Sequence, residues 1–142
     1  MKRVLVVFVT VGILVFACGK KVNPALQDEI SGAYVREYSF KVVNPETGAE
    51  IGMRSIRDTI FIRPLEEKYE VSNNKWRLND YDKEGWQSME HAEDRSISTF
   101  QAIYNSIDRS LDSESMPHLF LDLEKEQLYK DKSRDKPYQK LK

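Results

Sequence analysis

The sequence predicts a mainly β protein: a small antiparallel meander of about seven to nine short strands, closing into a barrel or a sandwich. Three observations carry this. From Tyr34 onward, apolar and polar residues alternate with a period of two. Turn-forming residues interrupt the alternation at short intervals, so neighbouring strands join locally. Removing an N-terminal leader of 17 residues from the 142 leaves 125, a length that suits one domain with a real core.

The leader is residues 1–17. Met1-Lys2-Arg3 is a cationic start, and residues 4–16 form an almost unbroken apolar run. The run is shorter than the about 20 residues a membrane span needs. A charged start, an apolar stretch and a small residue before the cut define a secretory signal peptide. Val15-Phe16-Ala17-Cys18 resembles the lipobox of a bacterial lipoprotein signal: Val15 and Ala17 fit, and Phe16 is bulkier than usual. The resemblance implies a diacylglyceryl thioether on Cys18. At about 0.8 kcal/mol per buried CH₂, two or three acyl chains would hold the protein on a membrane almost irreversibly. Cys18 is the only cysteine, so with lipid attached the folded domain has no thiol for disulfides, catalysis or metal binding.

Residues 18–30 are polar, contain Asn23-Pro24, and read as a lipidated tether. Lys20 and Lys21 replace the acidic tag that follows the cysteine in some surface-exported lipoproteins. The expected location is therefore the bacterial cell envelope, facing the periplasm. Cleavage removes Lys2 and Arg3, taking 22 basic residues to 20 against 23 acidic ones, a net charge of −3. Nucleic-acid partners, which need a basic face, are not expected.

Residues 31–142 form the single β-rich domain. Its first hairpin pairs residues 34–43 with residues 51–62 across Asn44-Pro45-Glu46-Thr47-Gly48. With Val43 opposite Ile51, Tyr38 meets Ile56, Tyr34 meets Ile60 and Arg36 meets Asp58. The register puts an Arg36–Asp58 ion pair on the apolar face, unless a bulge turns one or both outward. A second hairpin is predicted at Asn73-Asn74, because asparagine tolerates positive φ and suits a two-residue type I′ turn. Its register sets Val71 opposite Trp76, Glu70 opposite Arg77 and Tyr69 opposite Leu78. Tyr69, Val71, Trp76 and Leu78 then share one face.

Residues 79–95 form a long polar, acidic connection that holds Tyr81 and Trp86; connections of that length are usually functional or structured. Met89 to Glu93 fits a helical turn. In residues 97–111, Ile97, Phe100, Ile103, Tyr104, Ile107 and Leu111 fit a helix face. Phe100, Ala102 and Tyr104 alternate as in a strand, and Asn105-Ser106-Ile107-Asp108 reads as a turn, which favours two strands. A last hairpin joins residues 119–123 to 128–130, and residues 138–141 supply a closing strand.

Ser31-Gly32-Ala33-Tyr34 matches an SG-x-Y opening after the tether. With the strand and turn pattern of residues 31–141, it resembles the small uncharacterised lipocalin-like lipoproteins of the Bacteroidetes type. The resemblance implies a lipocalin-like barrel and no particular chemistry.

The residues offer little else for catalysis. His91 lies among carboxylates, but no H-x-x-x-H or H-E-x-x-H spacing accompanies it. His118, after Met116-Pro117, reads as structural. Asp80, Asp82 and Glu84 before Gly85 imitate a calcium loop, but Glu84 stands at the third acidic place and His91 at the twelfth position. There is no G-x-S-x-G elbow and no phosphate-cradling glycine loop. The expectation is a non-enzymatic protein without cofactor or metal.

Nine aromatic residues (Tyr34, Tyr38, Phe40, Phe61, Tyr69, Trp76, Trp86, Phe100 and Tyr104) are expected to line or plug the barrel. Two functions follow from what they enclose. A filled interior leaves an interaction module for another envelope protein, docking through the 79–95 loop, where Tyr81 and Trp86 form an exposed aromatic patch, or through a sheet edge. An open interior makes a carrier of a small apolar or amphiphilic ligand, with Arg36 and Asp58 as polar contacts. Arg36, Asp58, Trp76, Tyr81 and Trp86 are the candidate binding residues.

Overall fold

The computed structural model of the protein describes residues 23–89, 99–114, 118–132 and 135–142. One short helix, α1 (Pro24–Ile30), precedes nine strands. The first three are long: β1 (Gly32–Val43), β2 (Glu50–Leu65) and β3 (Lys68–Asn79). The rest are short: β4 (Gln87–Ser88), β5 (Thr99–Asn105), β6 (Ser110–Asp112), β7 (Leu119–Asp122), β8 (Gln127–Tyr129) and β9 (Tyr138–Lys140). All pairings are antiparallel. The order β2-β1-β9-β8-β7-β6-β5-β3 closes on itself through β2–β3, giving an eight-stranded barrel, and β4 adds to β3 outside the ring. The predicted closed meander is thus present, as a barrel and not a sandwich.

The first hairpin has the register read from its sequence: Tyr34↔Ile60, Arg36↔Asp58 and Tyr38↔Ile56. Its tip differs. The register shifts between Val42 and Val43, so Val43 faces Glu50 and Ile51 is left over as a bulge. The slip is confined to the turn. There Asn44 Oδ1 accepts from Glu46 N and Thr47 N, and Gly48 takes the left-handed φ of 69°.

The hairpin predicted at Asn73-Asn74 does not form. Both residues lie inside the continuous strand β3, and the reversal comes earlier, at the two residues Glu66-Glu67 between paired Leu65 and Lys68. Running straight through 73–74 keeps odd-numbered residues on one face. Tyr69 and Val71 therefore point inward while Trp76 and Leu78 point outward, and Glu70 and Arg77 are not paired. Glu70 instead lies beside Arg63, and Arg77 beside Gln87. The physical reason is long-range. The Asn73 side chain is buried and donates to Asp58 Oδ1 at 2.8 Å, satisfying a carboxylate that would otherwise lack a partner on that side. Substituting Asn74→Gly separates the two registers. It would favour a two-residue type I′ turn, but in a strand it costs about 0.5–1 kcal/mol. We expect a lower urea midpoint.

Residues 97–111 contain the two strands favoured above, β5 and β6, with the turn at residues 106–109 and Arg109 at φ 52°. Residue 97 and the 90–93 part of the proposed Met89–Glu93 turn lie outside the described residues. The last hairpin pairs Leu121 with Leu128, and β9 closes the ring against β1 through Val35↔Gln139.

Helix α1 seals one end of the barrel. Asn23 caps it by accepting from Ala25 N, and Pro24 occupies the first turn. Ile30 is fully buried and Leu26 packs on the core. The Tyr34 hydroxyl donates to Ile30 O at 2.8 Å, and Lys140 Nζ donates to Glu29 O at 2.5 Å. Residues 24–30, read as tether, are therefore part of the folded unit. Gly32 links helix to strand at φ 141°, a conformation that favours glycine, which explains the Gly of the SG-x-Y opening. Above the plug the interior is filled by Tyr34, Ile60, Tyr69, Leu111, Leu128 and Tyr138, each at most 1 % exposed. Among the described residues, no helix is long and apolar enough to cross a membrane.

Candidate functional site

The filled core ends at a layer built on Asp58, a carboxylate only 1 % exposed. Parity explains its position: Asp58 follows Ile56 and precedes Ile60 and Ile62 on the inward face of β2. Burying a lone carboxylate is prohibitively costly, so it must be paired and hydrogen-bonded. Oδ2 accepts from Tyr138 Oη at 2.5 Å, Arg36 Nη2 at 3.1 Å and Lys130 Nζ at 3.3 Å. Oδ1 accepts from Asn73. Burial would raise the Asp58 pKa, but the Tyr138 hydrogen bond, the Lys130 charge and the Asn73 amide outweigh it and hold the carboxyl below its usual range. Burial pushes the Lys130 ammonium the other way, below the usual lysine value, with Lys75 and Arg36 adding to the effect against the attraction of Asp58. Tyr138 is raised by burial and by its bond to Asp58, so its phenol stays protonated and a donor.

Arg36 is fixed from three sides. It pairs with Asp58, donates to Lys136 O at 3.4 Å, and stacks 4.4 Å from the Tyr138 ring centroid and 5.4 Å from that of Tyr38. Its Nε has no hydrogen-bond partner among the described residues.

Beyond this layer β1, β2 and β3 continue past the short strands as a three-stranded apron. Its concave face follows from the register. One rung is Arg36–Asp58–Lys75, the next Tyr38–Ile56–Arg77, the next Phe40–Arg54–Asn79. Arg54 donates to Asn79 Oδ1 and to the Tyr81 hydroxyl, each at 2.8 Å. Tyr81 can lie across β2 because residue 52 is glycine. A Cβ there would come 2.8 Å from Tyr81 Cδ1 and 2.3 Å from Asp80 Oδ1.

The convex face carries the other row: Glu37–Arg57–Trp76–Ser88. Arg57 donates to Glu37 at 2.5 Å and lies 4.5 Å from the Trp86 ring centroid. The five candidate residues thus separate into three places. Arg36 and Asp58 meet in the barrel, as read from the register. Tyr81 sits on the concave face. Trp76 and Trp86 flank Arg57 on the convex face. The expectation that Tyr81 and Trp86 form one patch is overturned, because the chain between them wraps around the sheet. The expectation that Trp76 and Trp86 plug the barrel also fails: Tyr34 and Tyr69 are buried and Phe100 and Tyr104 pack on the core, but Tyr38, Phe40 and Trp76 are exposed.

Sequence reasoning missed Asn73, Lys75, Lys130 and Tyr138 as members of the Asp58 layer. The expected turn at Asn73-Asn74 takes Asn73 out of the sheet and starts a new strand at Lys75, whereas both lie on the inward face of the continuous strand β3. Lys130 and Tyr138 lie far along the chain from Asp58, with no local pattern linking them.

The acidic loop residues are engaged elsewhere. Asp80 accepts from Met53 N, Asp82 from Asn79 and from Glu84 N, and Glu84 from Gln87. Ser110, Asp112 and His118 form a second polar cluster. Ser110 Oγ donates to Asp112 Oδ1 at 2.6 Å, and His118 Nδ1 lies 2.7 Å from the same oxygen. The hydroxyl hydrogen bond and the imidazole hold the Asp112 carboxyl below its usual range. Ser110 is buried and its hydroxyl donates to the Asp112 carboxylate, not to a ring nitrogen of His118. His91 and Cys18 lie outside the described residues.

The fold defines an antiparallel eight-stranded β-barrel, plugged by a helix at one end and extended by a cationic apron at the other. Comparison with protein-family models, curated proteins and solved structures found no match.

Proposed function

We propose that the protein is a lipid-anchored, non-enzymatic module of the bacterial cell envelope that docks onto another envelope protein. The observation that carries this reading is the filled barrel combined with an exposed aromatic surface. Below Asp58 the interior is occupied by packed side chains, while Trp76 and Trp86 frame Arg57 on the convex sheet face. Tryptophan and arginine supply much of the binding energy at protein interfaces when a partner excludes water from them. Cys18 would carry the anchor, and the folded unit begins by Pro24, so a short stretch separates membrane and barrel.

Trp86→Ala tests the docking surface. The ring contacts Arg57 outside the core, so we expect the variant to fold with an unchanged melting temperature and to lose a partner that co-purifies with the wild-type protein from its native envelope. Unfolding would make Trp86 a structural residue and remove the anchor of the interaction.

The carrier reading has one specific observation in its favour. Tyr38 and Phe40 are 41 % and 44 % exposed on the concave face, where an apolar ligand could lie above the filled core.

A further inference from the structure

The concave apron has a charge imbalance. Among the described residues, its three rungs contribute Arg36, Arg54, Lys75 and Arg77, and Lys130 joins them just beyond β8, while Asp58 is the one carboxylate on those rungs. Asp58 compensates only Arg36 and Lys130. Arg54 is held by Asn79 and Tyr81, and Arg77 by Gln87, all uncharged. Lys75 has no side-chain partner among the described residues. Its charge acts on Lys130, so the two ammonium groups face the same space. Asp80, Asp82 and Glu84 in the adjacent loop bond to Met53 N, Asn79, Glu84 N and Gln87, and among the described residues none of them pairs with Arg54, Lys75 or Arg77. Aromatic side chains interleave with these cations: Tyr38 beside Arg77 across Ile56, and Phe40 beside Arg54. Arg36 also keeps a buried Nε–H with no partner among the described residues.

Unpaired like charges on one concave wall repel, and the sheet does not gain stability from gathering them. A concave surface lined by one sign of charge attracts the opposite sign from solution. Guanidinium forks and an ammonium together suit an anion with several oxygens in different directions. The neighbouring aromatic rings suit an apolar group attached to it.

We propose that the open end of the barrel binds a phosphate ester, with the phosphate held by Lys75, Arg77 and Arg54 and its apolar part against Tyr38 and Phe40. Two sources share this chemistry: the headgroup of a membrane phospholipid and a free organic phosphate. The site lies on the opposite face of β2 and β3 from Trp86, so it is independent of the docking reading, and Trp86→Ala leaves it intact.

The full chain held in neutral phosphatidylcholine nanodiscs allows both sources to be tested. Phenyl phosphate is titrated by calorimetry, and phosphatidic acid is added to the nanodiscs and followed by native mass spectrometry of the released protein. The comparison variant is Lys75→Gln/Arg77→Gln, with thermal unfolding as the folding control. We expect saturable binding that weakens by about tenfold or more in the folded double variant, from the loss of two charge-assisted contacts. Binding should also fall with added salt. Phenyl phosphate binding supports a free phosphate ester; retention of phosphatidic acid alone supports a lipid headgroup. Absence of saturable binding to either, or binding unchanged in the folded double variant, overturns the proposal. If that variant does not fold, Lys75→Gln alone, at a position with no side-chain partner to lose, decides in the same way.

Discussion

Asp58→Asn should destabilise the protein by about 3–5 kcal/mol, the cost of removing one partner from a buried charged network. The side chains are nearly the same size, so a cavity is not the cause. The neutral amide leaves Arg36 and Lys130 without their counter-charge and asks one oxygen to serve Tyr138, Arg36 and Lys130. For a domain whose total stability is about 5–15 kcal/mol, this approaches loss of folding. Denaturant unfolding gives the magnitude; a change under about 1 kcal/mol would mean the layer is far more solvated than its geometry implies.

The same carboxylate sets an acid limb. Its pKa is lowered in the folded state relative to the unfolded value of about 3.9. Its stabilising contribution is therefore complete above that value and is lost as pH falls through the lower folded value. Wild-type stability should drop steeply below about pH 4, and the drop should be shallower in Asp58→Asn, where nothing at this position remains to be protonated. Parallel acid limbs in the two proteins would assign the acid sensitivity to other carboxylates.

Tyr34→Ala should cost about 3–5 kcal/mol, as expected for truncating a buried aromatic residue. Tyr34 performs two tasks. Its ring fills the barrel above the plug, and its hydroxyl holds Ile30 O at the end of α1. Tyr34→Phe removes only the second, leaving a buried carbonyl unsatisfied at about 1–3 kcal/mol. Hydrogen exchange then separates the roles. In Tyr34→Phe the amides of residues 25–30 should exchange faster while the strands remain protected. Equal loosening of helix and strands would show that the plug and barrel unfold as one unit.

Much of the barrel was legible because its signals are local. The β1–β2 register follows from alternation across one turn, which by itself sets Arg36 opposite Asp58. The bulge at Ile51 did not propagate, because the tip absorbed it between Val42 and Val43. The β5–β6 turn was readable from Asn105, whose side-chain oxygen accepts from Ile107 N and Asp108 N. The error at Asn73-Asn74 has the opposite origin. Local turn chemistry favoured a reversal there, but the Asn73 amide is worth more bonded to a buried carboxylate fifteen residues away along the chain. One misplaced turn inverted the facing of Trp76 and Leu78, since shifting parity by one moves every side chain to the other side of a sheet.

The sequence by itself determined the class of fold, the strand alternation and the pairing of Arg36 with Asp58, because each depends on residues close along the chain or joined by one turn. Only the tertiary structure decided that Asn73, Lys130 and Tyr138 complete the Asp58 layer, that Tyr81 and Trp86 lie on opposite faces, and that Lys75, Arg77 and Arg54 share one wall. Those facts depend on barrel closure, in which β9 returns to β1 and β3 runs unbroken beside β2. Closure brings together side chains as far apart in sequence as Asp58 and Tyr138, and no local propensity encodes that distance.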